Sequence, residues 1–104
     1  MSKQFVLSSK AAIYRTTYEL PADNDERLLQ RAAIKAAELH VCGYITHTHS
    51  GRKVGGELEG SATSLEQMMS WLRDEIMPKE AREQPRFAEC LPQEKSKYQN
   101  FFYV

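Results

Sequence analysis

Apolar residues recur at helical spacing between residues 24 and 39, and this pattern constrains the fold of the chain more than any other feature. At its start, Asp23 and Glu26 stand three residues apart, which is the spacing of a capping box. The apolar positions that follow are Leu29, Ala32, Ala33, Ala36 and Leu39. Together these residues predict an amphipathic helix over 24–39 with Asp23 as its N-cap.

A strand pattern comes directly before this helix. Residues 11–20 are rich in β-branched and aromatic side chains, and their alternation predicts one buried face. The residues of that face are Tyr14, Thr16, Tyr18 and Leu20. Pro21 follows, and because proline cannot donate a backbone hydrogen bond, we expect the strand to end there.

A predicted hairpin and a second predicted helix follow the first helix. Residues 41–48 and 53–59 have strand patterns and are separated by a short turn that contains a glycine, so they predict a β-hairpin. Helical spacing of apolar residues then runs from 64 to 76, with Thr63 or Ser64 as the expected N-cap.

The last part of the chain predicts two more strands, over residues 85–91 and 98–104. We interpret the element order as βαββαβ, in which right-handed crossovers place both helices on one face of an antiparallel sheet. The predicted fold class is therefore α+β with the ferredoxin-like split βαβ architecture. No linker or repeat divides the 104 residues, so we expect a single domain with its core over about 11–104.

Composition excludes several classes of function. Lys and Arg number 14, as do Asp and Glu, so no overall charge attracts nucleic acid. The predicted strand over 53–59 lacks the aromatic residues of an RNA-binding sheet, although Tyr14 and Tyr18 lie on its neighbour. The cysteines, Cys42 and Cys90, have no metal-ligand spacing, and no apolar run is long enough for a signal peptide or a membrane helix. We expect a cytoplasmic protein without a cofactor, metal or membrane partner.

Several motifs in the second half of the chain resemble those of acylphosphatases. They are GYITHT at 43–48, Gly51, GGELEG at 55–60, MSWL at 69–72 and KYQNFF at 97–102. The resemblance covers about residues 12–104, and it implies the acylphosphatase variant of the ferredoxin-like fold. It also implies hydrolysis of acyl phosphates, for which the family uses a glycine-rich loop ending in arginine and an asparagine that positions water.

The residues at the positions of this machinery differ from the family pattern. Counting back from Gly43 without gaps places residues 21–29 on the phosphate loop, with Leu29 at the catalytic arginine and three carboxylates in place of the glycines. Counting forward places His47 at the catalytic asparagine. Arg27 or Arg31, one helical turn apart, could supply the missing cation after a small shift of the loop, although both also fit a solvated helix face.

Three interpretations of function therefore stay open. The first is a binding, regulatory or inhibitory module without catalytic activity that acts on another protein. The second is a divergent acylphosphatase that uses Arg27 or Arg31 together with His47. The third is a homo-oligomer formed through the edge strand over 98–104. His40, His47 and His49 lack carboxylate or cysteine partners in the sequence, so we interpret them as solvated side chains and not as metal ligands.

Overall fold

The computed structural model describes residues 5–6 and 12–104 and contains six strands and two helices. In chain order these are β1 (Ile13–Pro21), α1 (Glu26–Leu39), β2 (Cys42–Thr48), β3 (Lys53–Gly60), α2 (Ala62–Trp71), β4 (Arg86–Phe87), β5 (Leu91–Gln93) and β6 (Phe101–Tyr103). A 3₁₀ turn at His49–Gly51 connects β2 to β3, and one π-helical turn at Leu72–Ile76 extends α2. The predicted α+β architecture is confirmed.

The strands form one mixed sheet in the order β4-β1-β3-β2-β6, and β5 pairs with β1 farther along the same side as β4. Every strand pairing is antiparallel except that of β6, which runs parallel to β2. The sequence predicted an antiparallel sheet throughout. β6 differs because the segment before it first crosses the open face of the sheet, and the chain then enters the edge in the direction of β2.

Both helices pack on one face of the sheet. The four residues predicted for the buried face of β1 are all 5% exposed or less. They meet a helix layer made of Leu29, Ala32, Ala36, Leu65, Met68, Met69 and Leu72. The opposite face of the sheet carries no helix among the described residues, so its side chains are the ones available for surface chemistry.

The helices begin at different residues from those that the sequence indicated. The N-cap of α1 is Asp25, whose Oδ1 accepts the Arg27 amide at 2.9 Å, whereas the carbonyl of Asp23 accepts the Asp25 amide within the preceding turn. The N-cap of α2 is Ser61, and its hydroxyl accepts the Ser64 amide at 3.1 Å. The predicted cap of α2 was wrong because α2 begins directly after β3, with Ser61 as the one residue between them. The predicted cap of α1 was wrong because a tight turn uses Asp23.

We expect Ser61→Ala to lower the free energy of unfolding by about 1 kcal/mol, because the Ser64 amide loses its acceptor. Thr63→Ala is the matched control, since Thr63 lies inside the helix, and we expect it to change stability by less than about 0.5 kcal/mol. Urea denaturation followed by circular dichroism measures both variants. A larger loss of unfolding free energy for Thr63→Ala than for Ser61→Ala would instead support Thr63 as the N-cap.

The strands near the C-terminal end are shorter than predicted. The expected strand over 85–91 divides into β4 and β5, and at the break the Cys90 carbonyl accepts the Val6 amide at 3.0 Å. The expected strand over 98–104 is reduced to β6, because the Tyr98 amide donates to the Glu59 carboxylate and not to a neighbouring strand. Within residues 5–6 and 12–104, neither helix is long and apolar enough to cross a membrane.

Candidate functional site

The turn between β1 and α1, residues 22–25, occupies the place of the predicted phosphate loop. Several backbone amides of this turn and of the first residues of α1 donate to acceptors within the protein. Ala22 donates to the Arg52 carbonyl at 3.1 Å, and Asp25 donates to the Asp23 carbonyl at 2.9 Å. At the start of α1, the amides of Arg27 and Leu28 both donate to Asp25, to its side chain and carbonyl respectively. These four amides therefore do not converge on a common external anion.

The predicted candidate cations point to separate places. The Arg27 side chain is 83% exposed, and its guanidinium lies 3.1 Å from the Asp25 carboxylate. The hydrogen bonds from Arg27 lower the pKa of Asp25, and the same contact raises the pKa of Arg27. Arg31 instead lies over the Trp71 ring at 5.8 Å and 3.9 Å from Glu75, which ties α1 to the end of α2.

The two residues that counting along the sequence placed at the family's catalytic positions are both on the helix-covered side of the sheet. Leu29 is 3% exposed and belongs to the hydrophobic core. His47 follows Ile45 on the inner face of β2, and both of its ring nitrogens are buried without a hydrogen-bond partner among the described residues. The prediction of a solvated side chain was therefore wrong for His47. Neither Arg27 nor Arg31 therefore donates to His47, and the structure does not bring the three candidates together.

The remaining histidines lie at the end of α1 and in the 3₁₀ turn after β2. His40 ends α1 in the left-handed conformation, with φ 59°. His49 lies in the 3₁₀ turn, and its Nδ1 is 3.1 Å from the Thr48 hydroxyl and 3.5 Å from the Glu19 carboxylate. The described part of the chain contains no group of three or more His, Cys, Asp or Glu residues that could hold a metal ion.

The open face of the sheet carries a charged cluster that sequence reasoning missed. At its centre is Glu59, whose side chain is 2% exposed. Its carboxylate accepts hydrogen bonds from Nε and Nη2 of Arg15 at 2.9 and 2.8 Å. The amides of Lys97 and Tyr98 also donate to this carboxylate, at 3.0 and 3.1 Å. Burial raises the pKa of Glu59, but these hydrogen bonds outweigh it and hold the pKa below its ordinary value.

Glu57, two residues before Glu59 on the same face, binds the side chains of Lys97 and Tyr98. Its carboxylate accepts the Lys97 ammonium at 2.9 Å and a short hydrogen bond from the Tyr98 hydroxyl. Burial and the contact with Glu57 raise the pKa of the Tyr98 phenol. Glu57 and Glu59 together therefore fasten residues 97–98 across the open face.

An aromatic cluster continues this face toward the sheet edge. Tyr44 of β2 stacks on Phe102 of β6 with ring centroids 5.7 Å apart, and Tyr98 lies 6.3 Å from Phe102. Phe102 remains 48% exposed. The alternation of Glu57 and Glu59 was a usable signal for the charged cluster, since both must share a face. No periodicity in the sequence places Lys97 and Tyr98 over that face.

Comparison with solved structures supports the predicted fold. An acylphosphatase from Coxiella burnetii is 17% identical with a TM-score of 0.72, covering 93% of this chain and 100% of that one. An acylphosphatase from Bacillus subtilis is 11% identical with a TM-score of 0.68, covering 88% and 98%. BlrB, a BLUF protein, is 12% identical with a TM-score of 0.69, covering 90% and 73%.

The chain therefore has an acylphosphatase-like fold, and the predicted resemblance is confirmed at the level of architecture. No protein-family model matches the chain, and no curated protein matches it in sequence. At these identities the likeness establishes the fold alone, because one fold supports unrelated functions in different proteins. Activity has to be argued from the residues of the site.

Proposed function

We propose that this protein is a binding or regulatory module without acylphosphatase activity, which acts through contact with another protein. The observation that carries the proposal is the internal use of four backbone amides between residues 22 and 28. An anion-binding loop needs several free N–H groups pointing at one place. Here four of the seven N–H groups of residues 22–28, those of Ala22, Asp25, Arg27 and Leu28, already have acceptors within the chain.

The charge of this region supports the same conclusion. Asp23, Asp25 and Glu26 place three carboxylates at the start of α1, where a phosphate would sit in an anion-binding loop. Two unit charges about 4 Å apart repel by about 4 kcal/mol at an effective dielectric constant near 20. The carboxylates also suit the positive end of the helix dipole, which then has no need of an external anion.

The arginine side chains of this region also have partners within the protein. Leu29, at the position of the family's arginine, fills the core, and an arginine there would bury an unpaired charge. Arg27 is held by Asp25, and Arg31 contributes to the contact between α1 and α2. In this proposal the module works in the cytoplasm, where its free thiols, Cys42 and Cys90, remain reduced.

A divergent acylphosphatase is the second candidate, and His47 is the residue that favours it. Buried polar atoms usually have a partner, so two ring nitrogens without one suggest a bound water or ligand beside them. A neutral imidazole can accept a hydrogen bond from water and so could orient it for attack on an acyl phosphate. This mechanism would need Arg27 or Arg31 to leave its present partner.

The test is the hydrolysis of benzoyl phosphate by the purified protein. We expect no turnover above the rate in buffer, because neither Arg27 nor Arg31 donates to His47. Arg27→Ala, Arg31→Ala and His47→Ala should then equal the wild type. Arg73→Ala is the matched control, since Arg73 is an exposed arginine whose partners among the described residues are Asp74 and Ser70. Turnover that Arg27→Ala, Arg31→Ala or His47→Ala abolishes and Arg73→Ala preserves would establish the second candidate.

A further inference from the structure

The two edges of the sheet are protected to very different degrees. The edge formed by β4 and β5 contains Pro92 and Arg86, and the described residues 5–6 cover part of it through a bridge to Cys90. The opposite edge is β6. Its segment, residues 98–104, contains no proline and no charged residue. Proteins usually protect exposed edges with such residues, so an unprotected edge indicates a site for strand addition.

The backbone of β6 presents hydrogen-bonding groups to the outside. The carbonyl of Asn100 accepts from Gly43 at 3.0 Å, and the amide of Val104 donates to Ile45 at 3.2 Å, so these residues face β2. Backbone direction alternates along a strand, which turns the N–H and C=O groups of Phe101 and Tyr103 away from the sheet. No other described strand pairs with this side of β6.

The side chains around this edge are apolar and exposed. Phe102 is 48% exposed, Tyr103 40% and Val104 77%. Phe102 lies on the open face, where its ring is held in place by stacking on Tyr44. An added strand would therefore find unpaired backbone groups and an ordered aromatic ring at the same place, which gives both hydrogen bonds and apolar contact.

We propose that β6 is a dimerisation edge, and that its partner is the β6 strand of a second copy of this chain. A twofold axis pairs a strand with itself in antiparallel direction, so any charge on it would face the same charge nearby. Residues 98–104 have no charged side chain, and the nearest charged side chain before them, that of Lys97, is paired with Glu57 on the open face. Two copies of β6 can therefore pair without bringing like charges together, and the two Phe102 rings approach each other across the axis.

The pairing closes after two copies, because the described residues of each chain offer one unprotected edge. A dimer of this kind is compatible with either candidate function, so its test is separate from the hydrolysis assay. β6 has three residues, and a short strand gives a weak interface. We therefore expect the monomer and dimer to exchange with protein concentration.

The experiment is sedimentation equilibrium over a hundredfold range of protein concentration. We expect the average mass of the wild type to rise from that of one chain toward twice that value. Phe102→Lys places two like charges at the axis, and Tyr103→Pro removes an outward N–H without removing a bond to β2, so both variants should remain monomeric. Leu91→Lys is the matched control, because Leu91 is 49% exposed on the opposite edge, and it should dimerise like the wild type.

Circular dichroism and thermal melting of each variant separate loss of dimerisation from loss of folding. A wild type that remains monomeric over the whole range overturns the proposal. Dimerisation that Leu91→Lys abolishes, or that folded Phe102→Lys and Tyr103→Pro both retain, overturns it as well. Assemblies that keep growing beyond the dimer would also contradict it, since they need a second adhesive edge.

Discussion

Gly43→Ala is expected to destabilise this protein by more than about 3 kcal/mol, a large part of the stability of a domain of this size. A β-carbon on Gly43 would lie 2.0 Å from the carbonyl oxygen of Glu57 and 2.8 Å from its carbonyl carbon. The backbone of Gly43 also has φ 129°, which other residues rarely adopt. Because the obstacle is the backbone of β3, no side-chain rotation can relieve the overlap, and the two strands must separate.

Gly56 faces β2 in the corresponding way, and a β-carbon there would lie 2.1 Å from the carbonyl oxygen of Tyr44. That oxygen accepts the buried Tyr18 hydroxyl at 2.9 Å, so Gly56→Ala should break this hydrogen bond too. Gly60→Ala is the matched control, because its β-carbon would approach no described atom closer than 3.4 Å. Guanidinium denaturation followed by Trp71 fluorescence measures all three. Equal losses for Gly43→Ala and Gly60→Ala would contradict the close approach of β2 and β3.

Glu59→Gln is expected to lower the free energy of unfolding by about 3 kcal/mol. Both carboxylate oxygens of Glu59 accept from N–H donors, supplied by Arg15 and by the Lys97 and Tyr98 amides. An amide group in their place turns one acceptor into a donor and leaves Arg15 without its ion pair. The loop that these bonds hold on the open face should loosen in the same variant, and amide hydrogen exchange at residues 97–98 would report this change.

Glu83→Gln is the matched control for the buried carboxylate. Glu83 is also ion-paired, with Lys53 at 2.7 Å, but its side chain is 66% exposed. Exposed pairs contribute little, so this variant should unfold close to the wild type. A loss as large as that of Glu59→Gln would mean that charge and not burial determines the effect.

The same residue gives the stability a pH dependence in acid. The folded pKa of Glu59 lies below its ordinary value of 4.5, so its contribution is complete above that pH. It is then lost as the pH falls through the folded pKa, because the protonated carboxyl no longer accepts all its donors. Glu59→Gln should therefore show a flatter decline of stability below about pH 4 than the wild type.

The fold was predictable because its sequence patterns act locally. The spacing of Leu29, Ala32 and Ala36 specified α1, and the alternation from Tyr14 to Leu20 specified the buried face of β1. The N-cap of α1 was harder to predict, because the sequence fits both a capping box at Asp23 and Glu26 and a cap two positions later at Asp25. Only the path of the chain out of β1 decides between them.

The candidate site was less accessible to sequence reasoning, since it depends on contacts between distant parts of the chain. The Asp25 carboxylate pairs with Arg27 at the start of α1. Arg31 instead contacts Trp71 and Glu75, because α1 packs against the end of α2. The burial of Glu59 depends on the return of residues 97–98 over the sheet. Such a contact has no periodic signature.

The order of the strands also has a consequence for how the chain folds. The three central strands are β1, β3 and β2, and the C-terminal part of the chain pairs with both outer sides of this group. There β4 and β5 lie beside β1, and β6 lies beside β2. The hydrogen bond from Thr16 to Ala88 joins residues 72 positions apart. Contacts of such long range slow folding, so the three central strands can form a sheet while both sides are still open. During synthesis this protein is therefore most exposed to aggregation before residues 86–103 have left the ribosome.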